Sequence, residues 1–141
     1  MNEVEAEVPL LTVLPLIQSV VHACRDKEGF PYSKMQMYVF TMLSLKGSLT
    51  MKEIARYTSS TNEYATRAVA PLVDDGYVER FVLPQNRQHI HIRLTEKGRA
   101  YLSERTRALG RRVNAALAEK LSDTEQEELR AAVRTIIRIL G

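Results

Sequence analysis

Polar and basic side chains concentrate between residues 52 and 93 of this chain. Arg and Lys side chains bind phosphate oxygens, and Arg, Asn and Glu also match the hydrogen-bonding edges of bases in the DNA major groove. The candidates for such contacts are Lys52, Ser60, Asn62, Glu63, Tyr64, Thr66, Arg67, Arg80, Arg87, His89 and Arg93. Thr66 and Arg67 are the favoured base or phosphate contacts, while Lys52 and Ser60 are candidate phosphate anchors. A solvated helix face is the alternative interpretation of the same side chains.

A helix from Thr61 to Asp75 is predicted to carry five of these eleven candidates. Its apolar residues recur at three- and four-residue spacing and so share one face: Ala65, Ala68, Val69, Leu72 and Val73. The candidates therefore face outward. Gly76 suits the left-handed residue that ends many helices. Pro71 lies inside the helix, where the lost hydrogen bond costs roughly 3 kcal/mol, and we expect a kink there.

Two extended runs follow, Tyr77 to Leu83 and Gln88 to Leu94, joined by a turn over residues 84–87. In the second run one set of residues should be buried and the alternate set should form a cationic or titratable face. The buried set is Ile90, Ile92 and Leu94, and the outer set is His89, His91 and Arg93. An outward-facing polar helix followed by a basic hairpin is the layout of a winged helix-turn-helix.

Capping patterns place the helices before this motif. Ser33 with Gln36, and Thr50 with Glu53, form capping boxes that begin helices running to Lys46 and from Met51 to Tyr57. The first helix opens at Pro9 or Thr12, with Pro15 bending it or marking its first turn, and it ends near Cys24. It is apolar almost all round, which predicts that a second subunit covers it.

Two helices are predicted after the hairpin. The first is long, starts at Thr95–Gly98 and carries an apolar stripe of Leu102, Thr106, Leu109, Val113, Leu117 and Leu121. A Ser122–Glu125 capping box opens the last, which should bury Leu129, Ala132, Val133, Ile136, Ile137 and Leu140. Neither terminal helix has a place on a small winged domain, so both are expected to dimerise. The predicted class is mainly α with a small β wing.

Length, composition and charge bound the possible functions. The 141 residues, 45% apolar, suit a single domain, residues 1–141. The net charge is only +3, but residues 76–112 hold nine Lys or Arg against three Glu, which favours a phosphate-bearing partner. The longest apolar run is too interrupted to cross a bilayer and lacks the features of a secretory signal, so a cytoplasmic protein without membrane contact is expected.

Residues for other chemistries are sparse. His89 and His91 could ligate a metal, but no third ligand has recognisable spacing, so neither metal nor cofactor is expected. No phosphate-cradling glycine loop or nucleophile–base pair points to an enzyme. Cys24 is the only cysteine. It is read as a packed thiol, with a redox sensor as the alternative.

Four segments together resemble the MarR family of transcription regulators: Leu49–Ala55, Thr66–Arg67 with Leu72, Gly76–Arg80 and Arg93–Gly98. The wing departs from the family pattern, since Asn86 and Gln88 stand where the family has aspartate and arginine. Arg87 is expected to substitute at the tip.

The resemblance implies a homodimeric repressor that binds a pseudo-palindromic operator in double-stranded DNA and is released by a small aromatic or phenolic ligand. A winged helix-turn-helix of about residues 31–98 would lie between dimerisation helices of about residues 8–29 and 99–141. His22, Tyr38 and Met42 are possible ligand-pocket residues. The alternatives are a winged-helix protein-interaction module, suggested by Pro71, Asn86 and Gln88, and a Cys24-based redox regulator.

Overall fold

The computed structural model describes residues 9–25 and 31–141. Nine elements follow one another along these residues: α1 (Pro9–Ala23), α2 (Lys34–Lys46), β1 (Ser48–Thr50), α3 (Met51–Tyr57), α4 (Asn62–Asp74), β2 (Val78–Leu83), β3 (Asn86–Leu94), α5 (Glu96–Lys120) and α6 (Asp123–Leu140). The strands form one antiparallel sheet in the order β1-β3-β2. The predicted class, mainly α with a small β wing, is confirmed.

The backbone divides into two compact units. The winged unit comprises the described part of residues 30–105, together with residues 140–141. The flanking unit comprises the described part of residues 1–29, together with residues 106–139. Helix α5 runs from the winged unit into the flanking unit.

The core of the winged unit is built from α2, α3, α4, the sheet and the start of α5. Its buried side chains are Val39, Phe40, Leu43, Leu49, Ile54, Ala55, Ala65, Val69, Leu72, Val78, Ile92, Leu94 and Leu102. Helix α4 contributes Ala65, Val69 and Leu72, as the spacing of its apolar residues predicts. The face opposite these three residues is thereby left to solvent.

The predicted helix ends are set by local hydrogen bonds. The Ser33–Gln36 and Thr50–Glu53 capping boxes are both present. At the start of α6 the Glu125 N–H donates to the Ser122 hydroxyl over 3.2 Å. Gly76, which follows α4, has a φ of +78°, so the predicted left-handed glycine is confirmed.

The hairpin differs from the predicted one. Strand β3 begins at Asn86, so Arg87 lies at the start of a strand and only residues 84 and 85 form the turn. Val82 pairs with Ile90, but Leu83 pairs with Asn86, so residues 87–89 form a bulge between these two pairs. Ile90 was predicted to be buried but is 49% exposed. Ile90 lies nearer the tip than residues 91–93, the part of β3 that also pairs with β1.

The flanking unit exposes the apolar residues of its two terminal helices. Leu11 and Leu16 of α1 are more than 60% exposed, and Ile137 of α6 is 53% exposed. No described residue of α6 is buried within one chain, so the burial of its apolar residues stays a prediction for the dimer. Helix α1 begins at Pro9 and contains Pro15. Among residues 9–25 and 31–141, no helix is long and apolar enough to cross a membrane.

Candidate nucleic-acid interface

Four outward side chains of α4 form one surface. Asn62, Glu63, Thr66 and Arg67 line a shallow open depression, and all four are exposed. The Thr66 hydroxyl donates to the Asn62 carbonyl over 2.7 Å, so it can offer an outside group only its acceptor lone pairs and its methyl group. Tyr64 is 51% exposed, so its ring is also largely available to a partner.

The N-terminus of α4 is fixed by the turn that joins it to α3. The Thr61 side chain accepts from the Tyr64 N–H over 3.2 Å and caps the helix. Before it, Ser59 has a φ of +51°, a conformation that non-glycine residues seldom adopt. The turn is closed by a bond from the Ser60 N–H to the Ala55 carbonyl and by a 2.8 Å contact between the Thr58 and Ser60 hydroxyls.

The two predicted phosphate anchors lie at the two ends of the segment formed by α3 and this turn. Ser60 is half-buried and its hydroxyl lies against Thr58, so the side chain shapes the turn whatever else it contacts. Lys52 is exposed in the first turn of α3. The N–H groups at the start of a helix favour anions, and Lys52 adds a mobile positive charge to this surface. Phosphate contact by either residue stays a prediction.

The base of the hairpin carries an ion pair that sequence reasoning missed. Glu79 and Arg93 are register partners on β2 and β3, and Arg93 Nε lies 2.6 Å from Glu79 Oε1. The Arg93 guanidinium also lies 4.3 Å from the centre of the Phe81 ring. The His91 ring also packs near the Phe81 ring, with centroids 5.4 Å apart, and His91 is half-buried. In the free protein, the Arg93 side chain is therefore already bound to other side chains of the hairpin.

The remaining candidates on the hairpin are exposed. Arg80 on β2 and both Arg87 and His89 in the bulge of β3 are open to solvent. At the tip the Asn86 side chain accepts from the Gln88 N–H over 3.3 Å, a neutral contact where the resembled family has a charged pair. Among the described residues, no group of three or more His, Cys, Asp or Glu could hold a metal ion.

The C-terminal end of α4 is held by residues that were not predicted as functional. The Tyr32 hydroxyl donates to the Asp75 carboxylate, and Lys97 Nζ donates to the Asp75 carbonyl over 2.7 Å. Burial, and then the bond to Asp75, raise the pKa of the Tyr32 hydroxyl, so it stays protonated as a donor at neutral pH. Tyr32 also contacts the rings of Phe40, Tyr77 and Tyr101, with centroids about 6 Å apart.

The segment that leaves the hairpin packs on the same helix end. The Thr95 hydroxyl donates to the Gly76 carbonyl over 2.6 Å and accepts from the Gly98 N–H over 3.0 Å. A Cβ on Gly98 would lie 1.9 Å from the Tyr77 carbonyl oxygen, so only glycine allows this approach. The Thr95–Gly98 motif, read in the sequence as a helix start, thus also fixes the end of α4.

The predicted ligand-pocket residues do not form an open cavity within the winged unit. Tyr38 and Met42 line a narrow gap with Leu49, Ile54 and Tyr57 that has no room for a small molecule. His22 is exposed on α1 in the flanking unit. Cys24 is half-buried just after α1. The ligand and redox assignments of these residues stay predictions.

No protein-family model matches the sequence, and no curated protein matches it in sequence. Solved structures do match. A MarR family protein from Bacillus stearothermophilus is 22% identical, with 99% of this chain and 98% of that chain covered and a TM-score of 0.71. The transcriptional regulator BldR from Sulfolobus solfataricus is also 22% identical, with 99% and 100% covered and a TM-score of 0.64.

A third match is a mutant MarR from E. coli complexed with operator DNA. It is 19% identical, covers all of both chains and has a TM-score of 0.59. These likenesses confirm the winged helix-turn-helix fold predicted from the sequence, in the form that MarR-type regulators have.

Proposed function

We propose that this chain, which has the MarR-type winged-helix fold, is a homodimeric, sequence-specific DNA-binding transcription regulator that acts as a repressor. The observation that carries the proposal is the outward face of α4, where Asn62, Glu63, Thr66 and Arg67 are exposed together on a capped helix. A helix in the major groove reads bases with side chains near its N-terminus, and these four lie within its first six residues.

The exposed cations around α4 support the same proposal. Lys52 precedes the helix-turn-helix turn, and Arg80 and Arg87 lie on the hairpin. Phosphate contacts supply much of the affinity of DNA-binding proteins, and base contacts supply the specificity. A structural neighbour, the mutant MarR from E. coli, is complexed with operator DNA, which favours the same partner for this fold.

The exposed apolar residues of α1 and α6 favour a homodimer. Solvent-facing leucines and isoleucines repeat along both helices: Leu11, Leu14, Leu16 and Ile17 in α1, and Leu129, Ile136, Ile137, Ile139 and Leu140 in α6. Apolar surface of this extent on a small protein marks an interface. In a symmetric dimer on a pseudo-palindrome, the two α4 helices would lie about 34 Å apart, one turn of B-DNA.

Release by a small aromatic or phenolic ligand belongs to the proposal as its regulatory part. It rests on the family resemblance and on the position of Tyr38 and Met42. These two residues line a narrow gap that would have to widen before a ligand could bind. Titration of the protein–DNA complex with salicylate as a probe tests this part. Release of DNA that saturates as salicylate is added supports this part. Release that depends only on the ionic strength of the added salt contradicts it.

The first experiment measures binding to DNA from upstream of the protein's own gene. Affinity for this DNA and for a scrambled duplex is determined at several salt concentrations. We expect a specific affinity at least about a thousandfold above the scrambled one, and a steep loss of both with salt. Equal affinity for the two duplexes would contradict sequence-specific binding.

The second experiment replaces a single side chain. Arg67→Ala should weaken specific binding by about 1–3 kcal/mol and leave the oligomeric state unchanged. Arg107→Ala, which removes an exposed arginine from α5, is the matched control and should change affinity little. Equal losses for both variants would remove Arg67 from the site.

A second candidate function is supported by the wing itself. Val82 and Ile90 are register partners, and each is nearly half exposed, so the hairpin presents an apolar pair beside a tip that lacks the family's charged pair. Such a surface suits a protein partner. A stable protein partner that is lost in Val82→Ser, together with no sequence selected from a random DNA pool, would favour this function over DNA binding.

The redox alternative has its own test. If Cys24 senses oxidants, peroxide should release DNA from the wild type but not from Cys24→Ser. Equal release from both would exclude it.

A further inference from the structure

The C-terminal half of α4 is weakened by its own sequence. Pro71 lies inside the helix and removes one intrahelical hydrogen bond, yet the helix continues to Asp74. Asp74 and Asp75 then place two carboxylates at the C-terminal end, where the helix dipole disfavours negative charge. Groups outside the helix can therefore stabilise the helical conformation of this half.

Gln36 supplies one such group from the first turn of α2. Its side-chain oxygen accepts from the Ser33 N–H over 2.8 Å, and its side-chain nitrogen donates to the Ala68 carbonyl over 3.0 Å. A single amide thus caps its own helix and bonds to α4. The bond to Ala68 is part-buried and lies next to the Arg67 carbonyl, which has lost its helical donor because Pro71 has no N–H.

Tyr32 supplies the second group, one residue before the α2 cap. Its hydroxyl donates to the Asp75 carboxylate, and its ring is held by Phe40, Tyr77 and Tyr101. Lys97 holds the carbonyl of the same Asp75. The start of α2 therefore contacts α4 at two points, Ala68 and Asp75, on either side of Pro71.

We infer that Tyr32 and Gln36 are positioning residues that fix the rear half of α4 and so set the angle at which its N-terminal half meets DNA. The inference rests on the proposed function. From Asp75 to Asn62 the helix is about 20 Å long, so a tilt of about 5° at the held end moves the reading end by about 2 Å. That is enough to break a hydrogen bond to a base edge.

The test uses two variants that keep the local packing. Tyr32→Phe removes only the hydroxyl. Gln36→Glu keeps the acceptor that caps α2 but removes the donor to Ala68. The matched controls are Tyr57→Phe, from an exposed tyrosine at the end of α3, and Glu53→Gln, the converse exchange in the capping box of α3.

The readout is the ratio of affinities for operator and scrambled DNA, measured where each variant is fully folded by circular dichroism. We expect each variant to lower this ratio about fivefold, the effect of one hydrogen bond, and the controls to leave it within twofold. Binding to scrambled DNA should not change, because phosphate contacts tolerate a small tilt. If Tyr32 and Gln36 only stabilised the fold, their replacement would change the affinities for operator and scrambled DNA by the same factor.

A double variant with Arg67→Ala then identifies the route of the effect. If Tyr32 acts through α4, Tyr32→Phe should change the affinity ratio little in a protein that already carries Arg67→Ala. If the two residues act independently, the fold-changes of the two substitutions in this ratio should multiply. Multiplying effects, or unchanged ratios for Tyr32→Phe and Gln36→Glu, would overturn the inference while leaving the proposed function intact. A wild-type protein that does not distinguish operator from scrambled DNA would instead overturn the proposed function, and this inference with it.

Discussion

Glu79 and Arg93 face each other across the two strands of the hairpin, and the Arg93 Nε lies 2.6 Å from a Glu79 carboxylate oxygen. The sequence places Arg93 among the DNA-contacting cations and indicates that the wing lacks a charged brace. The structure shows an ion pair, but at the base of the hairpin and not at its tip. The arginine that would hold a phosphate is occupied in holding the hairpin together.

Replacing Glu79 should therefore release a cation. In Glu79→Gln, Arg93 loses its carboxylate partner and a negative charge disappears beside the proposed interface. We expect operator affinity to rise about two- to fivefold at low salt. The slope of log affinity against log salt concentration should become steeper by about one unit, because about one more counterion is released. The pair is about half exposed, so folding stability should change by less than about 1 kcal/mol. Glu128→Gln on α6 controls for net charge, and an equal gain there would refute a local effect.

The wing tip offers a gain-of-function test. Gln88 is exposed and stands where the resembled family has an arginine. Gln88→Arg should raise affinity for DNA by about 0.5–1 kcal/mol, because an added cation can contact a phosphate or enter the minor groove. Gln85→Arg, on the turn two residues from the start of the bulge at Arg87, should give a smaller gain. Quantitative gel shifts with the three proteins test this order. No gain for either variant would place the tip away from DNA.

Two glycines of α5 should respond to alanine in opposite directions. In Gly98→Ala the new Cβ would lie 1.9 Å from the Tyr77 carbonyl oxygen, so the backbone must shift, at a cost of about 3 kcal/mol or more. A Cβ on Gly110 would meet no described atom within 4 Å, so Gly110→Ala should gain up to about 1 kcal/mol from helix propensity. Urea unfolding of both variants checks this. A mild effect at Gly98 would show that the approach to Tyr77 relaxes easily.

Tyr101 carries a hydroxyl without a partner among the described residues, and this oxygen is buried. Leaving a buried hydroxyl unbonded costs free energy, so Tyr101→Phe should leave the free energy of unfolding unchanged or raise it by up to about 1 kcal/mol. The ring contacts with Phe40 and Tyr77 would be kept. Thermal unfolding of the two proteins is the measurement. A clear loss of stability would mean that the hydroxyl has a partner in solution.

Local patterns explain why most of the fold was predictable. The spacing of Ala65, Val69 and Leu72 defines the buried face of α4, and the side chains of Ser33 and Thr50 mark the starts of α2 and α3 with bonds to residues three positions on. These patterns involve residues three or four positions apart, so they can be recognised from the sequence alone. The exposure of Arg67 and its neighbours follows from the same periodicity.

Features that depend on distant partners were not predictable. Strand β1 has only three residues, too few for their alternation to identify a strand, and it is defined by its pairing with β3, where Leu49 lies opposite Ile92. Ile90 continues the alternation of Ile92 and Leu94, yet it lies beyond the part of β3 that pairs with β1. The bonds of Tyr32 and Gln36 to α4 join residues 32 to 43 positions apart, and nothing in their immediate neighbourhood indicates them.

The bulge at residues 87–89 separates the tip of the hairpin from its base. Regular pairing resumes between Val82 and Ile90 and continues to the buried Ile92 and Leu94. Residues inserted or deleted at the tip would be absorbed by the bulge and would not reverse the inward and outward sides of the strand below it. Tip length and tip chemistry can therefore diverge between related proteins, or be altered by a designer, while the packed base stays the same.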